Sequence, residues 1–504
     1  MNREKELLKN TIIIFVGKFF TQILTFLLLP IYTKYLLTDE LGTFDLITTY
    51  ISLFVPVLSL QLEMATFRFL LEQRENYKEQ NRIISNNIIL IFIFITLSIA
   101  LFYLISLFIK IKYIGYIILI YFFNMLSSNF MQVARGLGKN IDYSISSIIN
   151  GIITIALNFI LIIKFKFGIY GPLISMIIAN AISFLYLFFR LRIFKRFAYR
   201  NCNKKFCIKM IKYSLPLVPN SISWWIMSAS DRTIISTFLN TAANGIYAVS
   251  NKFPTILTSL FGIFNISWSE NVSLYINSED KDEYISNICN EILVFFGFIG
   301  VILICLLSIF FDFFIDIAYK EAYLYIPILT LASFLSLIAS QYGSIYVALK
   351  DTKKIAITSL ISATVNIIIN VLLINSIGLY AAAISTLISY LIIALYRHFD
   401  IKKSINIKYN INSMLIICSF YCTSIVFYYY NNLIVNAINL CITSIAFCYY
   451  NRKMIKKFLR NFVIKCKTKK YNNWKKMHNN EGKEIYNRGI LYRNSKRQID
   501  LNNY

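Results

Sequence analysis

The stretch WWIMSASDRTII, residues 224–235, sits inside a run that otherwise reads as a membrane span, yet it sets an aspartate beside an arginine. A charge at mid-membrane costs about 2.5 to 3.5 kcal/mol on insertion scales, so Asp231 and Arg232 each need a partner, water or a route to the interface. Neighbouring helical positions do not face one another, so the two cannot neutralise each other well. Ser228 and Trp224 continue the face of Asp231, while Ser228 and Trp225 continue that of Arg232. This predicts a polar and aromatic stripe that lines the interior of a bundle.

The rest of the chain supports a membrane setting. Its 504 residues are 57% hydrophobic and only 15% charged, and the mean hydropathy is +0.60; soluble chains carry about a quarter charged residues. Apolar runs of about 18 to 25 residues begin near Thr11, Thr43, Ile84, Tyr113, Ser144, Tyr170, Tyr213, Ala243, Ile288, Tyr323, Ile355, Leu379, Asn412 and Leu433. The expectation is an all-α, polytopic membrane protein of about 14 transmembrane helices. The first run follows the charged flank MNREKELLKN, is too long for a signal core and lacks a small-residue cleavage site, so it reads as a retained span.

A net charge of +26 would suggest nucleic acid in a soluble protein. Counted by loop from a cytoplasmic N-terminus, however, about 42 of the 51 Lys and Arg residues fall in cytoplasmic segments, about 6 in external ones and about 3 in the spans. The charge is mostly topology, both termini are expected in the cytoplasm, and nucleic acid is not an expected partner. The tail, residues 451–504, holds 16 of these cations and suits an anionic inner leaflet. None of the nine cysteines falls in an external loop, where a disulfide would persist. Cys418 and Cys422 read as small packing residues in a span. With two histidines in the chain, neither a metal centre nor a cofactor is expected.

The basic connection at residues 197–212 divides the chain into an N-terminal lobe, 1–196, with spans one to six, and a C-terminal lobe, 213–399, with spans seven to twelve. A further pair of spans occupies 412–450. The two halves carry a weak internal repeat. TKYLLTDELGTFDLI matches STFLNTAANGIYAVS at Thr38, Gly42 and Phe44 against Thr241, Gly245 and Tyr247. GIYGPLIS matches GLYAAAIS at Gly168, Tyr170, Ile174 and Ser175 against Gly378, Tyr380, Ile384 and Ser385. Gly42 and Gly245 are expected to end a helix in a left-handed cap. Six spans per repeat give both halves one orientation, hence an axis along the membrane normal and a cavity between the lobes.

Lys18, Asp231, Arg232 and Lys252 lie too far inside spans to be end residues, whereas Lys34, Glu63, Arg68, Arg135, Glu270 and Lys350 can snorkel. Lys252 returns to the depth of Asp231 if both helices rise about 1.5 Å per residue. An Asp231–Lys252 bridge then leaves Arg232 and Lys18 as excess cations and the cavity net positive. The alternative is a closed salt-bridge network that ties the lobes together. Asp312 and Asp316 read as a helix-end turn rather than a catalytic dyad.

The residues LLLPIYTKYLLTDELGTFDLI and LPLVPNSISWWIMSASDRTIISTFLNTAANGIYAVSNK together resemble the polysaccharide exporter family, the O-antigen and capsule-repeat flippases of the multidrug/oligosaccharidyl-lipid/polysaccharide superfamily. The resemblance implies two six-helix lobes in a MATE-like V shape plus a C-terminal helix pair. It also implies alternating-access transfer of an undecaprenyl-pyrophosphate-linked oligosaccharide across the bacterial inner membrane. Lys18, Arg232 and Lys252 are then the substrate-binding cations and Asp231 a charge-network residue. A coupling ion, proton or sodium, belongs to the same expectation, and no enzymatic activity does. The alternatives are a flippase for lipid II or teichoic-acid precursors, a multidrug exporter of the same superfamily and, from another class, a membrane polysaccharide polymerase.

Overall fold

Proline and glycine decide where these helices bend and where they touch. The computed structural model describes residues 26–452 and residue 456. Lys18 lies outside the described residues, as do the side chains of Trp224 and Ser228. The chain falls into two units, 1–440 and 441–504, and the helical bundle with its candidate sites belongs to the first.

Among the described residues every regular element is helical. The first half runs α1 (Leu29–Tyr35), α2 (Thr38–Leu58), α3 (Leu62–Glu72), α4 (Tyr77–Phe108), α5 (Ile114–Gly136), α6 (Asn140–Asn158) and α7 (Tyr170–Arg190). After α8 (Lys204–Ser214) come α9 (Val218–Phe238), α10 (Thr241–Lys252), α11 (Pro254–Tyr275), α12 (Lys281–Phe314) and α13 (Ile326–Ala348). The sequence closes with α14 (Thr352–Ile377), α15 (Leu379–Ile401), α16 (Ile411–Tyr430) and α17 (Leu433–Tyr450). Eleven of the described segments are long and apolar enough to cross a membrane. The other three expected spans are the first, most of which lies outside the described residues, and the seventh and eighth, which carry the polar stripe and the break before Pro254.

That break follows from chemistry, since proline has no N–H and cannot continue the hydrogen-bond ladder. In the first half α2 carries Pro56 inside it. Leu60 and Gln61 then turn left-handed, at φ +51° and +57°, before α3 begins. The second span of each half is therefore interrupted.

Gly42 and Gly245 lie within α2 and α10 and neither has a positive φ, so the expected left-handed caps are absent. Their role is close approach. A Cβ on Gly42 would fall on the carbonyl oxygen of Thr241, and one on Gly245 on that of Thr38. Gly42 thus meets Thr241 as Gly245 meets the matching Thr38, a reciprocity that a local two-fold relation produces. The left-handed glycines are the other matched pair, Gly168 at φ +53° and Gly378 at φ +57°. Glu40 joins the two regions by accepting from the backbone N–H of Leu37 at 3.0 Å and of Ile169 at 3.2 Å.

The connection expected to hinge the halves is pinned to the first. Ala198 N–H donates to Ser85 Oγ at 3.0 Å and Asn203 N–H to Asn86 Oδ1 at 2.8 Å. Met210 of α8 is fully buried, and Phe206 packs edge-on against Phe69 at 5.6 Å. An amphipathic helix this rich in lysine keeps its apolar stripe out of water by docking. At the far end of the chain α16 packs on α12, with Tyr421 against Gly300 and Ile417 against Gly297. Cys418 and Cys422 are exposed, so they are not the packing residues their spacing suggested. Asp316 caps a 3-10 turn by accepting from Ala318 N–H at 3.0 Å, as the helix-end reading expects.

Candidate functional site

Helix α2 meets α9 and α10 along a polar seam that runs from one end of α2 to the other. At one end Asp39 bonds Thr241, and Asn244 donates to the carbonyl of Gly42 at 2.9 Å. At the middle Arg232 Nε donates to Asp45 Oδ2 at 2.7 Å, with 15% and 10% of the two side chains exposed. Further along, Tyr50 bonds Thr233 at 3.0 Å and Trp225 Nε1 donates to the carbonyl of Thr49 at 2.9 Å. Gln61, at the break, bonds Ser221. Of the described part of the stripe at residues 224–235, Trp225, Arg232 and Thr233 face α2.

Asp231 points elsewhere. Its Oδ1 accepts from Asn370 Nδ2 at 3.0 Å, and its Oδ2 accepts from Tyr247 at 2.9 Å and Thr386 at 2.7 Å. These donors come from α14, α10 and α15, so the carboxylate gathers the second half around α9. A buried carboxylate held by three donors is satisfied without a cation. The expected Asp231–Lys252 bridge is absent, and Lys252 makes no ion pair among the described residues. Half-buried at the end of α10, it has Asp45 and Arg232 as its charged neighbours.

Two cations, Arg232 and Lys252, therefore stand with two carboxylates, Asp45 and Asp231. The net positive cavity is not found among the described residues, because the expectation left out Asp45 and counted Arg232 as unpaired. Asp45 was missed because the second span was read from Thr43, which makes it an end residue. Helix α2 begins at Thr38, so Asp45 lies about two turns inside.

A family model described as "polysaccharide biosynthesis protein" matches residues 7–268, just over half of the chain and the whole seam. The chain belongs to the polysaccharide biosynthesis protein family. No curated protein matches it. Among solved structures this family member is similar to one titled lipid II flippase MurJ in an inward closed conformation. The TM-score is 0.65 at 19% identity, over 88% of this chain and 100% of that one. It is also similar to an inward-facing multidrug resistance MATE transporter of the MOP superfamily, with TM-score 0.61, 13% identity and coverage of 80% and 96%. An outward-facing MATE transporter of that superfamily gives 0.57, 15%, 79% and 96%. At these identities what is shared is the fold, the MurJ/MATE-like membrane fold that the sequence resemblance implied.

A second buried cation in this polysaccharide biosynthesis protein escaped the sequence reading. Arg397, 2% exposed in the last turns of α15, donates to Ala339 O at 2.8 Å and Ile355 O at 3.3 Å. It also donates to the hydroxyls of Thr358 and Ser359, both at 3.0 Å. Four neutral acceptors spread along its planar fork tie α15 to α13 and α14. No sequence signal separates it from an ordinary snorkelling end residue.

Proposed function

We propose that this protein is a flippase that moves undecaprenyl-pyrophosphate-linked oligosaccharide repeat units, of O-antigen or capsule type, across the bacterial cytoplasmic membrane. Transfer proceeds by alternating access between the lobes 1–196 and 213–399. One observation supports this reading above the others: a buried ion pair, Asp45–Arg232, links one helix from each repeat in a chain whose family is described by polysaccharide biosynthesis.

The chemistry follows from what competes for Arg232. A guanidinium suits phosphate as well as carboxylate, so a pyrophosphate that reaches the seam offers Arg232 a second anion, with Lys252 beside it and Lys18 as a further cation. Exchange of Asp45 for the ligand removes the ionic link between α2 and α9, and the polyprenyl tail stays in lipid throughout. The distribution of Lys and Arg sets both termini in the cytoplasm, so the Gly42–Gly245 end faces outward and the present arrangement is closed on that side. Outward movement of the anion is favoured by an inside-negative potential, about 2.3 kcal/mol per charge per 100 mV. A coupling ion, proton or sodium, sets the return step. No residue acts as a catalyst in this reading.

A lipid II flippase is the second reading, favoured by the fold shared with the structure of that title. One experiment separates them. In a deletion strain, mass spectrometry of the accumulated lipid-linked sugars is expected to show undecaprenyl-pyrophosphate repeat units on the inner leaflet. Accumulation of lipid II selects the second reading, and no accumulation of either removes both.

A further inference from the structure

Away from the seam, at the end of the bundle where α6 begins and α7 stops, lies a cavity of about 570 Å³. Its lining includes five cationic side chains, Lys139, Arg190, Arg192, Lys195 and Arg196, with Tyr77 beside them and a single carboxylate, Asp142. That carboxylate is already engaged by Arg190 at 2.9 Å and by Tyr186 at 3.3 Å. Lys139, Arg192 and Lys195 make no ion pair among the described residues. Arg196 is fixed by Gln80 Oε1 at 3.1 Å, by the carbonyl of Leu191 at 3.1 Å and by the Tyr77 ring at 4.8 Å.

The backbone adds to the same field. No side chain caps the start of α6, and the cap position is itself Lys139, so the positive end of the helix dipole opens into the cation cluster. Burial and the nearby Arg196, Arg190 and Arg192 hold the Lys139 ammonium below the usual lysine value, which is the cost of crowding like charges. An anion relieves it. The cavity also sits at a defined depth, for the apolar spans of α6 and α7 begin and end at its walls. Phe189, Phe194, Phe197 and Tyr199, close in sequence to the lining residues, are exposed, which offers apolar surface for acyl chains.

We infer that this cavity is a binding site for a phosphate group carried by an anionic membrane lipid. The lipid phosphate lies among Lys139, Arg192 and Lys195 at the start of α6, while its chains pass the exposed aromatics into the bilayer. Basic pockets between membrane helices are suited to such headgroups, and the volume falls within the ordinary range for a small-ligand site. The inference does not rest on the flipping reaction.

The test is equilibrium binding of phosphatidylglycerol, phosphatidylcholine and inorganic phosphate to the full-length protein in detergent. It compares the wild type with the triple variant Lys139→Gln, Arg192→Gln, Lys195→Gln. Phosphatidylglycerol is expected to bind the wild type in preference to phosphatidylcholine, and the triple variant about a hundredfold more weakly. The charge-preserving triple Lys139→Arg, Arg192→Lys, Lys195→Arg should keep the lipid, which separates loss of charge from loss of fold. Equal affinity of the neutral triple for phosphatidylglycerol overturns the site. Saturation by inorganic phosphate at the same concentrations as the lipid overturns its assignment to a headgroup.

Discussion

Asp231 and Arg232 are neighbours in sequence whose side chains serve different halves of the molecule: Asp231 collects donors from α10, α14 and α15, and Arg232 reaches Asp45 on α2. The angular step between adjacent helical residues makes this possible. One turn of α9 both anchors its own bundle and holds the other.

Arg232→Ala leaves Asp45 buried without its cation, and breaking a buried pair costs about 3 to 5 kcal/mol. The variant should melt well below the wild type and fail to complement a flippase-deficient strain while still reaching the membrane. The exchange Asp45→Arg with Arg232→Asp should recover much of the stability. A charge-swapped protein no more stable than the single variant would show that the pair is not what joins α2 to α9.

Gly42→Ala and Gly245→Ala each place a methyl group on a backbone carbonyl of the facing helix, and neither helix can yield locally. Both should part the α2–α10 contact. Labelling of a cysteine introduced at Asn244 should become faster in each. Unchanged labelling in both variants would mean that the crossing tolerates a side chain.

Asp231→Asn keeps the shape of the side chain but turns one acceptor into a donor that faces other donors. A loss of about 1 to 3 kcal/mol is expected, read as a lower melting temperature. Transport measured at the same time tests the charge-network role first assigned to Asp231, because a changed dependence on the proton gradient would give it a part in coupling beyond its three hydrogen bonds.

Cys207 reports on the docked connection. Burial raises its thiol above the ordinary value, so at a given alkaline pH less thiolate is present than in a free peptide, and alkylation should be slower. In a variant that retains only this cysteine, maleimide labelling at the rate of a free thiol would show that α8 is loose rather than pinned to α3 and α4.

Most of the architecture was legible because a bilayer imposes one demand, a long apolar run, and the chain meets it plainly. The expected starts at Tyr170, Leu379 and Leu433 coincide with helix starts. The failures have physical causes. The first turn of α2 is polar, TDELG, so a hydropathy reading entered the span late and lost Asp45. Glycine signals either a left-handed turn or a close approach, and sequence alone assigned the wrong one to Gly42 and Gly245. The partner of Arg232 lies 187 positions away, and no periodicity within a helix reports a contact of that range.

The contact of Gly42 and Gly245 with the facing helix is main chain against main chain and itself carries no charge, although Asp39 bonds Thr241 beside it. The Asp45–Arg232 link carries two charges. A competing anion that reaches the ion pair can loosen it while leaving the glycine contact untouched, so these two contacts of α2 answer to different variables. In the proposed transport cycle, the ion pair is the one of these two contacts that an anionic cargo would meet.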